Sequence, residues 1–528
     1  MQCASRSSSA GVRVRARGRA GAGVLAVAML LVGQVVQPAT ALAAPTRPHH
    51  ARTLHVGPHG RFTSIQAAVN AAHPGDWILI APGDYHEHGA PNAGVLITTP
   101  DLHLRGLDRN RVIVDGTRPG PARPARPACS PDPAAQDFGP IDSRGHPTGR
   151  NGIEVLKADG VTIENLTVCN FLGSANGDNG NQIWWNGGAG SGRIGLGSLT
   201  GQYLTATSTY FQDASSAMAQ YGIFTSNERG PGLLAHTYAS NMGDSSYYVG
   251  ACGDCRVVLT DAHAQNSALG FSGTNAGGHL VIQDSEWDHN RAGIVPNSLN
   301  NDDAPPPQNG ACPAEPVASC TVIRANLVHD NNNPNTPESG IAGGAPVGAG
   351  IELSGSQNDT VTGNTVWHQG GWGIVINDYP DSETPPPVSH CQGGIASPGQ
   401  CYFLAFGNRI EDNQLSDNGF FANRSNGDLA DATIPPLAGE PSNCFAGNHD
   451  MEGPLTSDPS AIEQALGRCG KSDGGGDLIG AGLQLLCATG TEPQPCGGTY
   501  PQTTRVELLA LPKDLPSMPD PARVRDSQ

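Results

Sequence analysis

The chain has 528 residues, a formal net charge of −18 and only 15% charged side chains. That length allows one large domain with extensions. A surplus of acidic groups excludes proteins that rely on binding nucleic acid or anionic membranes. Glycine (70) and proline (43) are abundant, and because the glycines fall at turns between short apolar runs, they favour a turn-rich β fold.

Residues 1–43 have the pattern of a secretory signal peptide. Several arginines precede an apolar run from Val24 to Val36, which is too short for a convincing membrane span, and Ala41-Leu42-Ala43 offers a small-x-small cleavage site. We therefore expect a secreted protein without a membrane span. Because this segment holds five arginines and no acidic residue, the mature chain would carry a charge of −23.

Residues 44–53 form a short linker, and residues 54–116 predict an amino-terminal cap with the first rungs. Ser64 is expected to start a short helix with Ile65, Ala68 and Val69 on one face, which Pro74-Gly75 ends. A strand from Trp77 to Ile80 follows. Such a helix would cover the open edge of the first strands.

A repeat of about two dozen residues dominates the middle of the chain. It consists of a polar residue, an apolar residue two positions later, and Asn or Gln five positions later. The copies are Asn165-LTVC-Asn170, His236-TYAS-Asn241, Asp261-AHAQ-Asn266, Ser285-EWDH-Asn290, Asn326-LVHD-Asn331, Asn364-TVWH-Gln369 and Asn413-QLSD-Asn418. Three short strands fit each period, and matched Asn side chains can bond from rung to rung. Such units must stack on one another to bury their apolar faces.

This repeat resembles the right-handed parallel β-helix of the pectate-lyase-like superfamily, and the cap is similar to the opening of pectin methylesterases. Stretches such as GNQIWWNGG also resemble secreted actinobacterial β-helix proteins. The fold class predicted is all-β: a solenoid over residues 54–425, with a loop insertion at 117–150. Residues 426–528 are expected to form a cysteine-containing cap or tail that shields the last rung, and we expect a monomer.

Thirteen cysteines become twelve when Cys3 leaves with the signal, and an even number in a secreted chain indicates disulfides. Local pairs are predicted between Cys252 and Cys255, Cys312 and Cys320, and Cys391 and Cys401. A Cys129–Cys169 pair is compatible with the spacing. The four tail cysteines allow three pairings, which stay open.

The best candidate for chemistry is the residue before the closing Asn of each repeat. At this position His289, Asp330 and His368 would stack on successive rungs, with Asp288 one position earlier. Alternating His and Asp can bind a metal or form an acid–base pair. The alternative is that outward turn positions are polar only because they face solvent. Glu352, on an outward strand position, is a further catalytic candidate, since paired carboxylates suit glycoside hydrolysis.

Aromatic residues are only 5% of the chain, so exposed rings are candidates for stacking on sugars. The candidates for substrate binding are Trp184, Trp185, Tyr247, Tyr248 and Trp372. The competing interpretation is that these rings pack loops onto the solenoid.

Superfamily resemblance suggests a carbohydrate-active protein, either a polysaccharide lyase or a glycoside hydrolase, with a polysaccharide as partner. The alternative is a non-catalytic carbohydrate-binding or surface scaffold. The signatures of polygalacturonases, alginate epimerases and pectin methylesterases are missing, and six methionines disfavour a copper-maturation β-helix protein. No residues are assigned to a metal, and calcium is the one cofactor that a lyase would suggest.

Overall fold

The computed structural model describes residues 50–121, 125–174, 179–188, 194–212, 217–300, 320–382, 390–435, 440–466, 475–488 and 499–524. The predicted signal segment, residues 1–43, lies outside these ranges. From Ala51 onward the chain forms one compact unit. Among the described helices, none has the length and apolarity needed to cross a membrane.

The amino-terminal cap matches the sequence prediction closely. Strand Thr53–Val56 is followed by helix α1 (Ile65–Ala71) and strand Trp77–Ile80. Ser64 caps the helix. The carboxylate of Glu87 accepts hydrogen bonds from the backbone N–H groups of Ile65 and Gln66, at 2.6 and 3.1 Å. These bonds satisfy amide groups that a helix start leaves without intrahelical partners.

The first face of the solenoid is a parallel sheet of eleven strands. Its strands are Ala93–Ile97, Asn151–Leu156, Ile183–Asn186, Tyr221–Ser226, Ser245–Gly250, Leu269–Thr274, Ala292–Asn297, Ala349–Ser354, Trp372–Asn377, Gly427–Ala432 and Ser457–Asp458. The first rung has helix α1 instead of a strand at this position. After each strand of this face, the chain forms the second and third faces before it returns.

The second and third faces belong to one bent parallel sheet of nineteen strands. Four long strands cross both faces: Val161–Cys169, Leu199–Thr207, Gly232–Ser240 and Val257–Gln265. Each bends at a residue with a positive φ, such as His236 (56°) or Asp261 (47°). Polar residues tolerate this left-handed conformation better than β-branched residues do.

In the other rungs the bend separates two short strands. On the second face these are Thr53–Val56, Trp77–Ile80, His103–Gly106, Leu280–Gln283, Thr321–Arg324, Thr360–Thr362, Arg409–Glu411 and Cys444–Ala446. On the third face they are Gly83–Tyr85, Val112–Asp115, Glu286–Asp288, Leu327–His329, Thr365–Trp367, Gln414–Ser416 and His449–Asp450.

Alternate side chains of all three faces fill a single apolar core. Asn side chains satisfy the buried corners, as the repeat predicts. Asn326 Nδ2 donates to Asn364 Oδ1 at 2.9 Å, and Asn364 Nδ2 donates to Asn413 Oδ1 at 2.9 Å. The Asn ladder ends at Asn448, whose amide meets Glu463 of helix α2 (Ile462–Leu466) at 2.9 Å.

Three predicted disulfides are confirmed: Cys129–Cys169, Cys252–Cys255 and Cys391–Cys401. The last belongs to a small antiparallel sheet built from Tyr379–Asp381, Ile395–Ser397 and Gln400–Phe403. Cys320 is disulfide-bonded, whereas Cys312 lies outside the described residues. A second antiparallel pair joins Phe211–Gln212 to Ala217–Met218.

Within the described parts of residues 426–528, helix α2 closes the end of the Asn ladder as a cap would, whereas the other parts differ from the expected lid. Parallel pairing continues past residue 425, because Gly427–Ala432 and Ser457–Asp458 still stack on the first face. Helix α3 (Leu478–Ala488), which the sequence analysis missed, packs Ala481 into an apolar cluster outside that face. Residues 499–524 do not cap the last rung; they run back along the solenoid, where Glu507 and Leu509 reach Asn266 and Asn241.

Candidate active site

The third face presents a row of histidines and acids to solvent. In its strands Trp287, Val328 and Val366 point into the core and are fully buried. Their neighbours therefore point outward: Glu286, Asp288, Leu327, His329, Thr365 and Trp367. The next residue in each rung occupies a left-handed corner, and this corner column is His289, Asp330, His368 and Asp417, with φ angles of 54°, 54°, 53° and 51°.

The corner column brings His368 and Asp330 together, as predicted. His368 Nδ1 lies 2.5 Å from Asp330 Oδ1, and His329 Nδ1 lies 2.9 Å from Asp330 Oδ2. His368 is 46% exposed, and its Nε2 lies 3.8 Å from Asp417 Oδ2. One carboxylate therefore orients two imidazoles, and one of those imidazoles faces solvent.

A second cluster centres on Asp288, whose side chain is only 4% exposed. His263 Nε2 lies 2.6 Å from Oδ1, while Gln265 Nε2 and His289 Nδ1 lie 2.7 and 2.5 Å from Oδ2. Both oxygens of this carboxylate are thus engaged, by His263 and Gln265 of the preceding rung and by the adjacent His289.

Hydrogen bonding decides the charge of these two aspartates. Burial acts to raise the pKa of Asp288, but the bonds from His263, Gln265 and His289 outweigh it and lower the pKa below its usual value. Burial also acts to raise the pKa of Asp330, but the hydrogen bonds and charges of His329 and His368 outweigh it and lower this pKa below its usual value. Both groups are therefore carboxylates at neutral pH.

The predicted register holds only from residue 285 onward. Strand pairing aligns Gln265 with Asp288 and Asp288 with His329. The corner residue before His289 is therefore Asn266, not Gln265, and the earlier rungs are shifted by one position. The reason is that Asp284, rather than Ser285, occupies the left-handed bend that Asp261 occupies one rung earlier.

A groove of about 510 Å³ lies beside these clusters. Tyr238, His263 and Glu286 line it, and Leu515 and Pro516 of the returning tail form part of its wall. Arg109 Nη1 donates to the backbone oxygen of Pro516 at 3.1 Å, which fixes the tail at this point. On the third face the groove reaches His263, Glu286 and Leu327.

Glu352, the further catalytic candidate, lies apart from this site. It lies on the first face, between Val295 and Val375 of the adjacent rungs. Residues of α3 and the segment around Ala342 cover this surface, and Glu352 Oε2 has no hydrogen-bond partner among the described residues. Burial raises its pKa to about 7.

The aromatic candidates separate into core and surface residues. Trp185 and Tyr247 are fully buried in the solenoid, because strand alternation turns them inward. Trp372 is also buried, and its Nε1 donates to the backbone oxygen of Ser425 at 2.7 Å. Their assignment to substrate binding was wrong for this reason. Tyr248 lies on the outer side of the first face but is nearly covered.

Trp184 is the accessible aromatic residue of the predicted set. Its ring stacks on Phe224 of the next rung at 5.0 Å with an interplanar angle of 1°. The two rings line a shallow groove of about 600 Å³ on the first face, together with Asn92, Thr148, Asn179, Asn181 and Tyr221. This groove is on a different face from the histidine clusters.

Two groups of described residues have metal-binding geometry without relying on a cysteine: His263, Glu286 and Asp288, and Asp84, His86 and Asp115. Within each group the ligand atoms lie within 4.8 Å of one another. Two other groups rely on the cysteines of the 129–169 and 252–255 disulfides, which have no thiolate to offer. The sequence analysis missed His263 and Glu286. The signal that could reveal them is strand alternation, which places both on the outward side of adjacent rungs.

The chain is a right-handed parallel β-helix protein. Comparison with family models and with curated proteins gives no match. Among solved structures, the A-module of the Azotobacter vinelandii mannuronan C-5 epimerase AlgE4 is similar at 13% identity, with a TM-score of 0.40 over 73% of this chain and 90% of that chain.

Two further solved structures are similar at 12% identity. The catalytic domain of a GH87 alpha-1,3-glucanase in complex with tetrasaccharides has a TM-score of 0.43, covering 78% of this chain and 66% of that one. Pectate lyase Pel9A has a TM-score of 0.35, with 77% and 82% covered. Identities this low bear on the fold alone.

Proposed function

We propose that this protein is a secreted, carbohydrate-active enzyme that cleaves a polysaccharide along its third face. The observation that supports this is the His368–Asp330 pair, in which a carboxylate lies 2.5 Å from Nδ1 of a half-exposed imidazole. A histidine whose Nδ1 is held in this way can take a proton from a substrate or give one through Nε2, from which Asp417 Oδ2 lies 3.8 Å away, beyond hydrogen-bond distance. Asp330 acts as a positioning residue.

The shape of the third face suits an elongated polymer. Rungs repeat at about 4.8 Å, so polar groups recur along the solenoid axis from Glu286 to Asp417. His289 adds a second exposed imidazole two rungs before His368, and its Nδ1 is also held by a carboxylate. A sugar chain lying along the axis would meet both histidines.

Two reaction classes remain compatible with this arrangement. In a lyase, the imidazole would remove the proton from the carbon next to a uronic carboxyl group, and the glycosidic oxygen would leave. In a hydrolase, it would activate a water molecule or protonate the leaving oxygen. The acidic net charge of −18 disfavours an anionic polymer unless a cation bridges the two, and calcium is the cation to include in an assay.

The test is a screen of the purified mature protein against a panel of polysaccharides, with calcium or with a chelator. Ultraviolet absorbance detects the unsaturated product of a lyase, and a reducing-end assay detects hydrolysis. We expect turnover on at least one polymer and a loss of about 100-fold or more in kcat for His368→Ala. His279→Ala is the matched control, because His279 is an exposed partner of Asp254 outside the site. If no polysaccharide in the panel is cleaved, or if His368→Ala cleaves at the rate of the parent protein, the proposal is contradicted.

A second candidate function is sugar binding without catalysis on the first face. Trp184 offers an aromatic surface beside amide groups, and Asn181 Oδ1 is buried there with no hydrogen-bond partner among the described residues. Affinity electrophoresis separates the two functions. Retention that is lost in Trp184→Ala but kept in His368→Ala assigns binding to the first face.

The proposed location outside the cell rests on the signal pattern of residues 1–43 and on the disulfides. Three described bridges imply an oxidising compartment. Detection of the mature chain in culture medium, with a new amino terminus after Ala43, is the direct test. A chain that stays in the cell at full length contradicts secretion.

A further inference from the structure

Four side chains from three successive rungs converge at the edge of the third-face groove. His263 and Glu286 are paired across adjacent strands, and Asp288 is paired with His329 of the following strand. Because all four occupy outward positions, their polar ends meet on the same side of the sheet. Glu286 lies in the middle, and a histidine approaches it from each neighbouring rung.

His263, Glu286 and Asp288 have ligand atoms within 4.8 Å of one another, and His329 adjoins this group through Glu286. His263 Nε2 lies 2.6 Å from Asp288 Oδ1 and 4.0 Å from Glu286 Oε2. His329 Nε2 lies 3.2 Å from Glu286 Oε1. Ligands about 2.0–2.2 Å from a metal ion are about 3–4 Å apart from each other, so small side-chain rotations bring these atoms into a coordination sphere.

In His329 and Asp288 the polar atom that faces away from the cluster is held by further contacts. His329 Nδ1 lies 2.9 Å from Asp330 Oδ2, and the His329 ring stacks on Trp367 at 4.2 Å. Asp288 Oδ2 is engaged by Gln265 and His289. Metal-ligating histidines and carboxylates characteristically have their second polar atom fixed in this way, because it sets the tautomer and the direction of the ligand.

Burial and access also fit a bound ion. Asp288 and His329 are largely buried, whereas Glu286 faces the groove. An ion held here would have protein ligands on the sheet side and open positions toward the groove. An arrangement with open positions is typical of catalytic rather than structural metal sites.

We propose that His263, Glu286, Asp288 and His329 form a binding site for a divalent transition-metal ion of the zinc or manganese class. Two imidazole nitrogens with two carboxylates suit such ions, whereas calcium prefers a shell of oxygen ligands. The inference stands apart from the proposed polysaccharide cleavage, since metal binding is measured without a substrate. If both hold, the ion lies next to the His368–Asp330 pair, because its ligand His329 also contacts Asp330.

The test is isothermal titration of the chelator-treated mature protein with Zn²⁺, Mn²⁺ and Ca²⁺. We expect one saturable site per chain for Zn²⁺ or Mn²⁺, with Ca²⁺ at least about 100-fold weaker. Co²⁺ supplies a second readout, because its visible absorption bands report coordination by imidazole and carboxylate.

Variants place the site. We expect His263→Ala and Glu286→Gln each to weaken binding by about 10-fold or more and to remove the Co²⁺ bands, while His279→Ala leaves both unchanged. Glu286 is nearly half exposed, so its conservative variant is expected to fold, and circular dichroism checks this. Absence of saturable binding, or equal affinity in His263→Ala and the parent protein, overturns the inference and leaves the four residues as an ion-pair cluster.

Discussion

Glu352 places its carboxyl group in an apolar layer because the sheet turns it outward and α3 then covers that side. Its neighbours across the strands are Val295 and Val375, and burial raises its pKa to about 7. A carboxyl group with a raised pKa binds a proton in the folded protein at a pH where the unfolded chain is already ionised. The contribution of Glu352 to the free energy of unfolding therefore decreases as the pH rises from about 4 to about 7.

We expect Glu352→Gln to reduce the loss of stability on going from pH 5 to pH 8, by about 2 kcal/mol, because the amide cannot ionise. Thermal unfolding at both pH values measures this difference. The control is Glu452→Gln, which removes an exposed carboxylate. It should leave the pH dependence of the free energy of unfolding unchanged. An unchanged pH dependence in Glu352→Gln would contradict the burial argument.

Among the structural elements, the Asn ladder is the device that joins one rung to the next. Asn364 receives the backbone N–H and the side-chain amide of Asn326 on its Oδ1, at 3.0 and 2.9 Å. Its own amide donates to Asn413 Oδ1 and to the backbone oxygen of Ile323. A side chain of another shape leaves several buried polar groups without partners.

We expect Asn364→Ala to lower the free energy of unfolding by about 1–3 kcal/mol, because buried amide and carbonyl groups lose their bonds. Denaturant titration measures the change. Thr365→Ala, on the next residue but facing outward, is the control and should change stability by about 0.5 kcal/mol or less. Equal effects of the two variants would mean that the ladder adds nothing beyond ordinary packing.

The returning tail is the second element with a testable role. Leu509 exchanges two hydrogen bonds with the side chain of Asn241, at 3.0 and 2.9 Å. Ser517 and Met518 both donate to Asn165 Oδ1 at 2.8 Å. The tail thus covers two bends of the earlier rungs, at Asn165 and Asn241.

Deletion of residues 502–528 is expected to lower the melting temperature by about 2–5 °C, since the side chains of Asn165 and Asn241 lose these partners. It should also widen the groove that Leu515 and Pro516 help to enclose. Differential scanning calorimetry gives the first result, and protease sensitivity near residue 241 gives the second. Lys513→Ala, an exposed tail substitution, should change neither, and a deletion without effect would show that the tail is only loosely attached.

At the scale of the whole molecule, several buried carboxyl groups share the behaviour of Glu352. Burial raises the pKa of Asp359 to about 7 and that of Asp244, Asp378 and Asp431 to about 6. The folded chain therefore holds more protons than the unfolded chain between about pH 4 and pH 7. Stability falls as the pH rises through this window.

We expect the melting temperature to be highest near pH 4 and to decrease toward pH 8. Below about pH 4 the trend should reverse, because Asp288 and Asp330 have lowered pKa values and lose their ion pairs on protonation. A series of thermal scans from pH 3 to 8, in which the ionic strength is fixed, measures the curve. A rise in melting temperature from pH 5 to 8 would contradict it.

The sequence by itself determined the fold class, the cap and the local disulfides. Each depends on patterns over a few residues: apolar alternation, Asn at recurrent corners, a capping Ser64 before an apolar helix face, and cysteines close together in the chain. The pairing of His368 with Asp330 was also predictable, since the repeats from Asn326 onward have the same internal spacing.

Only the tertiary structure decided the register across irregular rungs and the covering of each face. The strand register changes by one position at Asp284, and the spacing of the Asn residues does not reveal this change. For that reason the sequence analysis did not align His263 with Glu286. The local sequence around Glu352 and Trp372 predicts exposed side chains. They are buried in the structure because α3, more than 100 residues away in the chain, packs over this face. Outward positions on a solenoid are polar or apolar according to what distant segments place on them, and local pattern carries no information about that.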